Sequence, residues 1–296
     1  MRFLSISRST LMDSHRSIKV RAKPWHGWLG LGLVAIFWPL SWSWPGPNPR
    51  APVAFFPLWT GLILVLDALV WRRRGTSLLT RDLRAFAGLF LTSAPTWWLF
   101  EFINRHVRNW RYLGVDHSLF SDLMGTLAFS TVIPAVFEAA ELVATCPFMG
   151  RFRHGPRLRP TSRVLAIAFS AGWSMLIALL LWPRYCFPFL WLSLLLILEP
   201  INHRLGHSSL LSSTAEGDWQ PVLALSLGVL LCAFFWEFWN YWSFPKWIYT
   251  IPYGDFLHIF EMPILGYGGY PPFGLELYAF YHLFAGKGNN YIQIDP

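Results

Sequence analysis

The chain has 296 residues, of which 54% are hydrophobic and only 14% are charged, and this balance excludes an ordinary soluble protein. Its eighteen tryptophans are typical of membrane proteins, because indole rings favour the level of the lipid headgroups. The net charge of +8 does not indicate a nucleic-acid partner, since the basic residues lie in short loops between apolar runs. Cys146, Cys186 and Cys232 show no CxxC spacing, which argues against a zinc knuckle or a disulfide framework.

Eight apolar segments approach the roughly 20 residues that a helix needs to cross a bilayer core of about 30 Å. They lie near residues 27–44, 52–71, 85–103, 123–147, 164–182, 186–202, 221–242 and 256–284. The last segment contains several prolines and glycines, so we expect it to be broken or re-entrant. The sequence therefore predicts an all-α integral membrane protein with about eight transmembrane helices.

The distribution of Lys and Arg predicts the orientation of these helices. Seventeen of these residues precede the first segment or lie in the second, fourth and sixth loops between the segments. Six lie in the first, third, fifth and seventh loops. Cytoplasmic loops are enriched in Lys and Arg, so we expect both termini in the cytoplasm and the protein in a bacterial inner membrane. Residues 1–26 are too long and too charged for the start of a signal peptide, and we interpret them as a basic cytoplasmic segment.

The chain contains one polar motif twice, Glu-x-x-Asn followed by Trp-x-Tyr, at offsets of 136 and 137 residues. Spacing of three residues places the acid and the amide on one face of a helix. The two copies consist of Glu101, Asn104, Trp110 and Tyr112, and of Glu237, Asn240, Trp247 and Tyr249. A carboxylate among tryptophans is unlike a lipid-facing surface, so the motif is the first candidate for a functional site.

Further matches in the same order predict an internal duplication. Asp67 pairs with Glu199 and Glu141 pairs with Glu276, again about 132 to 135 residues apart. We therefore divide the chain into a first four-helix repeat, a basic cytoplasmic linker, a second four-helix repeat and a C-terminal tail. Their bounds are 27–149, 150–163, 164–284 and 285–296. An even number of helices per repeat predicts parallel repeats related by a pseudo-twofold axis along the membrane normal.

Acidic residues inside a membrane are functional candidates, because each costs roughly 2.5–3.5 kcal/mol to insert. The candidate catalytic acids are Glu101, Glu138, Glu141, Glu237 and Glu276. The candidate substrate-binding residues are Asn104, Trp110, Tyr112, Asn240, Trp247, Tyr249, Asp67, Glu199 and Glu261. The alternative is that the acids bind helix ends or one another and fix the bundle, and that the aromatic pairs anchor it at the membrane surface.

Glu138 and Glu141 are three residues apart and therefore share a face of one helix. Two carboxyl groups that close in an apolar site do not both ionise easily. A neutral acid beside an ionised one is the arrangement that an acid–base catalyst or a proton relay requires.

The sequence does not predict a metal or another cofactor. Glu199, His203 and His207 have the spacing of metal ligands on a helix, but Pro200 and Gly206 interrupt it. Common nucleotide-binding and hydrolase motifs do not occur in the sequence either.

The order of an acid-bearing helix end, Trp-x-Tyr, proline and acid resembles the membrane-bound lycopene cyclase domain family. The matching residues are Trp110, Tyr112, Pro134 and Glu138 in one half, and Trp247, Tyr249, Pro271 or Pro272, and Glu276 in the other. The match covers about a third of each half, and neither half has the adjacent pair of glutamates. The resemblance implies cofactor-free acid catalysis on a polyene or isoprenoid lipid, with a carboxylic acid as proton donor and aromatic rings that stabilise the cation.

Three functions therefore remain open. The first is a lipid- or isoprenoid-modifying enzyme, whose partner is a membrane lipid or an isoprenoid ligand. The second is a proton- or cation-coupled transporter or channel whose acids line a path between the repeats. The third is a non-catalytic membrane scaffold. The sequence predicts no oligomeric state.

Overall fold

The computed structural model describes residues 24–42, 46–116, 118–288 and 291–294. Its helices are α1 (Trp25–Ser41), α2 (Ala51–Arg74), α3 (Leu78–Arg81), α4 (Leu83–Val107), α5 (Leu119–Ser130), α6 (Val132–Ala144), α7 (Ser162–Leu181), α8 (Pro183–Cys186), α9 (Leu190–Leu205), α10 (Leu210–Glu216), α11 (Gln220–Tyr241) and α12 (Tyr270–Ala285). Its short strands are β1 (Trp110–Leu113), β2 (Lys246–Tyr249), β3 (His258–Ile259) and β4 (Met262–Pro263). Most of the predicted N-terminal segment, residues 43–44 of the first predicted span and parts of the predicted tail lie outside the described residues.

The predicted all-α membrane architecture is confirmed at the level of its helices. Five helical segments of the described chain are long and apolar enough to cross a membrane. They are α2, α5 with α6, α7, α8 with α9, and α11. The other three predicted spans correspond to α1, α4 and α12, which have 17, 25 and 16 residues. These three helices are not among the five, so the number of eight spans stays a prediction. Residues 256–284 form β3, β4, a 3-10 turn and α12 rather than one helix.

Helix contacts in the first half of the chain have counterparts in the second half. α1 packs on α2, and α7 packs on α9. The α2–α6 contact of the first half corresponds to the α9–α12 contact of the second half. In the same way, the α4–α6 contact corresponds to the α11–α12 contact. Across the halves, α6 packs on α11 and α4 packs on α12. The two halves of the chain are therefore in contact through α4 and α6 of the first half and α11 and α12 of the second.

The contact of α6 with α11 depends on a glycine. A Cβ atom on Gly228 of α11 would lie 2.6 Å from the backbone nitrogen of Ala140 on α6. Small residues allow two backbones to approach this closely, and such contacts stabilise helix pairs in membranes. The α6–α11 contact therefore holds the two halves together at the centre of the fold.

A two-stranded antiparallel ribbon joins the halves where α4 and α11 end. β1 pairs with β2 so that Trp110 lies opposite Tyr249, and Tyr112 lies opposite Trp247. Each Trp-x-Tyr motif is thus paired with the other motif, tryptophan against tyrosine. Residues two apart in a strand point to the same side, so the four rings share one face of the ribbon.

Candidate functional site

A cavity of about 1040 Å³ lies beneath this ribbon, between the two halves of the chain. Its size is at the upper end of the range of ordinary ligand sites. Its aromatic wall includes Trp97, Trp110, Trp191, Trp236, Trp247 and Phe273. Charged side chains are few in this wall, so the cavity is suited to a ligand that is largely apolar.

Stacked rings fix the shape of the cavity wall. The indole of Trp110 stacks on that of Trp191, with ring centres 6.0 Å apart, and so connects β1 with α9. Trp236 on α11 stacks on Tyr270 at the start of α12, with ring centres 6.2 Å apart. Aromatic pairs of this kind contribute about 0.5–1.5 kcal/mol beyond their buried area. The cavity is therefore formed by packed side chains from both halves.

Glu101 lines this cavity together with Asp116 and Asp122, and three ring donors converge on one of its carboxyl oxygens. Its Oε1 atom accepts hydrogen bonds from Trp97 Nε1 at 2.9 Å, Trp110 Nε1 at 3.0 Å and the Tyr112 hydroxyl at 2.5 Å. Hydrogen bonds to a carboxylate favour its charged form. The structure thus places a carboxyl group with three donors in a wall that is rich in aromatic rings.

Glu237 occupies the corresponding position in the second half, but it has different partners. Its Oε1 atom accepts hydrogen bonds from the hydroxyls of Tyr249 at 2.6 Å and Tyr270 at 2.8 Å. Trp247 Nε1 donates to the Tyr249 hydroxyl rather than to the acid, at 3.0 Å. Both tyrosines line the cavity, whereas Glu237 lies behind them. The second acid therefore reaches the cavity through phenol groups.

The tyrosine hydroxyls on the ribbon remain donors over a wide pH range. Burial raises the pKa of Tyr112 and of Tyr249 well above 10, and the negative charges of Glu101 and Glu237 add to this effect. Ionised phenols beside these acids would place two negative charges together in a buried site. At neutral pH both hydroxyls consequently carry their protons and donate to the acids.

The two asparagines of the repeated motif fix the ribbon to the helix ends. Asn104 donates to the carbonyl of Trp110 at 2.9 Å and accepts from the backbone amide of Asn109 at 2.8 Å. Asn240 donates to the carbonyl of Trp247 at 2.8 Å and accepts from its amide at 2.9 Å. These amides satisfy backbone groups, so they position the Trp-x-Tyr segments. Asn240 also lines the cavity, whereas Asn104 does not.

Asp67 and Glu199 lie away from the cavity wall and bind the starts of short helices. Asp67 Oδ2 accepts from the amide of Leu79 at 2.8 Å, and Glu199 Oε2 accepts from the amide of Leu211 at 3.0 Å. Carboxylates are stabilising at helix N-termini because they accept from amides that have no partner within the helix. The paired acids thus have the same contact in α3 and in α10.

Glu138, Glu141 and Glu276 are fully buried, and the cavity wall does not include them. Glu141 forms an ion pair with Arg81 and accepts from the amide of Gln293 at 2.7 Å. Glu276 accepts a long hydrogen bond of 3.4 Å from the amide of Leu195. The structure therefore separates these predicted catalytic acids from Glu101 and Glu237.

The remaining polar candidates do not form a metal centre. Glu261 is ion-paired with Lys246, which lines the cavity. His203 Nδ1 lies 3.1 Å from the hydroxyl of Ser212. Among the described residues, no group of three or more His, Cys, Asp and Glu side chains is arranged to hold a metal ion.

Sequence reasoning missed two groups of functional side chains. Trp97 lies four residues before Glu101 on α4, and this helical spacing was a signal for a direct contact. Tyr270 binds Glu237 from 33 positions later in the chain, and no local pattern indicates that pairing. Trp191 and Phe273 join the wall through tertiary packing alone.

No protein-family model matches this sequence, and no curated protein or solved structure is significantly similar to it. The function is therefore inferred from the geometry of the chain's own residues.

Proposed function

We propose that the protein is an intramembrane enzyme that modifies an isoprenoid or polyene lipid without a cofactor. The observation that carries this proposal is the aromatic cavity with the Glu101 carboxylate in its wall. Aromatic faces attract cations, and a fixed carboxylate near them stabilises developing positive charge. Acid-catalysed rearrangement or cyclisation of a polyene passes through such a charge.

Within this proposal the two acids of the repeated motif have different roles. Glu101 has three donors on one oxygen, so it serves as the counter-charge of the cationic intermediate. Glu237 has two phenol donors and lies behind the wall, so it exchanges a proton with the cavity through Tyr249 or Tyr270. An acid and a counter-charge at separate places are what proton-initiated chemistry needs.

The internal duplication belongs to the same proposal. The corresponding helix contacts, the motif-to-motif pairing of β1 with β2 and the matching contacts of Asp67 and Glu199 all support two copies of one four-helix unit. Within the proposal the eight apolar segments are membrane spans, and the distribution of basic residues supports both termini in the cytoplasm of a bacterium. The unequal partners of Glu101 and Glu237 support a single composite site rather than two equivalent ones.

The proposal is tested by comparing lipid and isoprenoid extracts by mass spectrometry. The strains are a deletion, the wild type, Glu101→Gln and Glu237→Gln, with Glu216→Gln as the control because Glu216 is exposed and lies outside the cavity wall. We expect one species to disappear in the deletion and to stay at least tenfold reduced in both cavity variants, while the control restores it. Identical extracts from all five strains would refute the enzyme.

A proton- or cation-coupled transporter is the second candidate, and the buried acids outside the cavity favour it. Asp67, Glu138 and Glu141 lie close to one another and outside the cavity wall. Proton flux into proteoliposomes that is lost in Glu101→Gln, together with unchanged extracts, would support transport. If neither flux nor lipid change depends on these acids, the scaffold hypothesis remains.

A further inference from the structure

A second polar cluster lies between α2, α3, α6 and the C-terminal residues, outside the cavity wall. It contains three carboxyl groups, those of Asp67, Glu138 and Glu141, each with an exposed fraction of 0%. Burial of several ionised carboxylates in one apolar place is costly unless each has its own partners. The partners of the three acids are unequal.

Asp67 has a hydrogen-bond donor for each of its carboxyl oxygens. Its Oδ1 atom accepts from the Ser77 hydroxyl at 2.8 Å, its Oδ2 atom accepts from the amide of Leu79 at 2.8 Å, and Nε2 of His26 lies 2.8 Å from Oδ1. Hydrogen bonds of this kind favour the ionised form of a carboxyl group.

Glu141 is also compensated, because it forms an ion pair with Arg81 and accepts from the amide of Gln293. Glu138 lies beside both of the other acids. Neither of its carboxyl oxygens has a hydrogen-bond donor among the described residues. Ionised carboxylates are acceptors only, so a contact between Glu138 and Asp67 becomes a hydrogen bond only when one of them carries a proton.

The parts of α4 and α11 that pack near this cluster do not supply another cation. α4 has no charged residue between positions 85 and 100, and α11 has none between 220 and 236. α2 brings Arg74 to the same region, where it donates to the carbonyl of Gln293. The described tail adds the neutral phenol of Tyr291, and α12 adds that of Tyr281, which packs on Phe137. The titratable and charged groups around Glu138 in the described chain are therefore Asp67, Glu141, Arg81 and Arg74, with His26 in contact with Asp67.

We propose that Glu138 is a buried proton-binding site, in which the neutral acid donates to the Asp67 carboxylate. The ligand is the proton itself, and the assignment to Glu138 follows because Asp67 and Glu141 have donors of their own. None of these residues lines the cavity, so the site is independent of the chemistry proposed there. The paired acid and carboxylate give the protein a place to store or exchange a proton within the membrane.

The C-terminal residues close this site. The hydroxyl of Tyr291 donates to the carbonyl of Leu78 at 2.6 Å, and Arg81 donates to the side-chain oxygen of Gln293 at 3.2 Å. Ile294 is 3% exposed and belongs to the core. These contacts place the chain's last described residues over the acids, so they limit access of water to Glu138.

Infrared spectroscopy of the purified full-length protein at neutral pH tests the proposal. A protonated acid and an ionised carboxylate absorb at separate positions, and Glu138→Gln removes one or the other. We expect the Glu138→Gln variant to lose a protonated-acid band and the matched Glu141→Gln variant to lose carboxylate bands. Loss of carboxylate bands in Glu138→Gln would overturn the proposal.

A second variant keeps the test decisive if Glu138→Gln does not fold. Asp67→Asn retains an acceptor oxygen and a similar volume, and it removes the charge to which the Glu138 proton is bonded. We expect the protonated-acid band to shift or disappear in this variant. A spectrum in which every protonated-acid band keeps its position would overturn the proposal as well.

Discussion

The hydrogen bonds of Glu101 allow a quantitative test of the proposed counter-charge. Tyr112→Phe removes the 2.5 Å bond from the phenol and leaves the ring in place. A hydrogen bond to a charged group contributes about 1.5–3 kcal/mol, whereas one between neutral groups contributes about 1 kcal/mol. We therefore expect Tyr112→Phe to lower the free energy of unfolding by about 2 kcal/mol when Glu101 is intact, and by about 1 kcal/mol in Glu101→Gln.

The assay is a double-mutant cycle on reversible unfolding in detergent, followed by far-ultraviolet circular dichroism. The wild type, the two single variants and the double variant give a coupling energy of about 1 kcal/mol if the carboxylate is ionised. The equivalent cycle with Tyr249→Phe and Glu237→Gln is the matched comparison from the second half, where the bond length is 2.6 Å. A coupling energy near zero for Tyr112 and Glu101 would refute an ionised Glu101, and with it the counter-charge.

Three further predictions follow from the pKa of the phenols, the packing of α6 and the C-terminal residues. Burial raises the pKa of Tyr112 and Tyr249 above that of an unfolded tyrosine, so the unfolded chain loses these protons first as pH rises. The free energy of unfolding should therefore fall above about pH 10, and it should fall less steeply in the double Tyr→Phe variant. Unfolding midpoints measured from pH 8 to about pH 12 test this. Gly228→Ala should cost about 1–3 kcal/mol in unfolding free energy through its clash with α6, whereas Gly88→Ala, which has open space, should be neutral or stabilising by up to about 1 kcal/mol. Truncation before Tyr291 should speed hydrogen–deuterium exchange of the protonated-acid infrared band, and an unchanged exchange rate would show that these residues do not close the site.

The sequence was sufficient to predict the helices and the acids of the motif, because both depend on local patterns. Apolar runs of sufficient length predict membrane helices, and the repeated Glu-x-x-Asn identified the helix ends beside the cavity. The role of Asn104 was less visible, since a substrate contact and a backbone contact need the same amide group. The structure shows that its bonds go to the backbone of β1.

The ribbon and the cluster around Glu138 could not be predicted from local sequence patterns, because both depend on contacts between residues far apart in the chain. The alternation in Trp110-x-Tyr112 has the period of a strand, but two short segments 137 residues apart pair only after the helices have assembled. Arg81 reaches Glu141 from 60 positions earlier in the chain, and Gln293 reaches it from 152 positions later. Without these long-range partners, the two acids on α6 appear equivalent.

The environments of the acids indicate a division of labour along the fold. Glu101 has ring donors and an aromatic cavity in front of it, which favours a fixed negative charge near a ligand. Glu138 is fully buried and has no hydrogen-bond donor among the described residues, which favours the neutral acid. α6 and α11 connect these regions through the tight contact at Gly228. Glu101 therefore lies in the wall of the cavity and Glu138 lies outside it, so a fixed charge near a ligand and a buried exchangeable proton are kept in separate places of one fold.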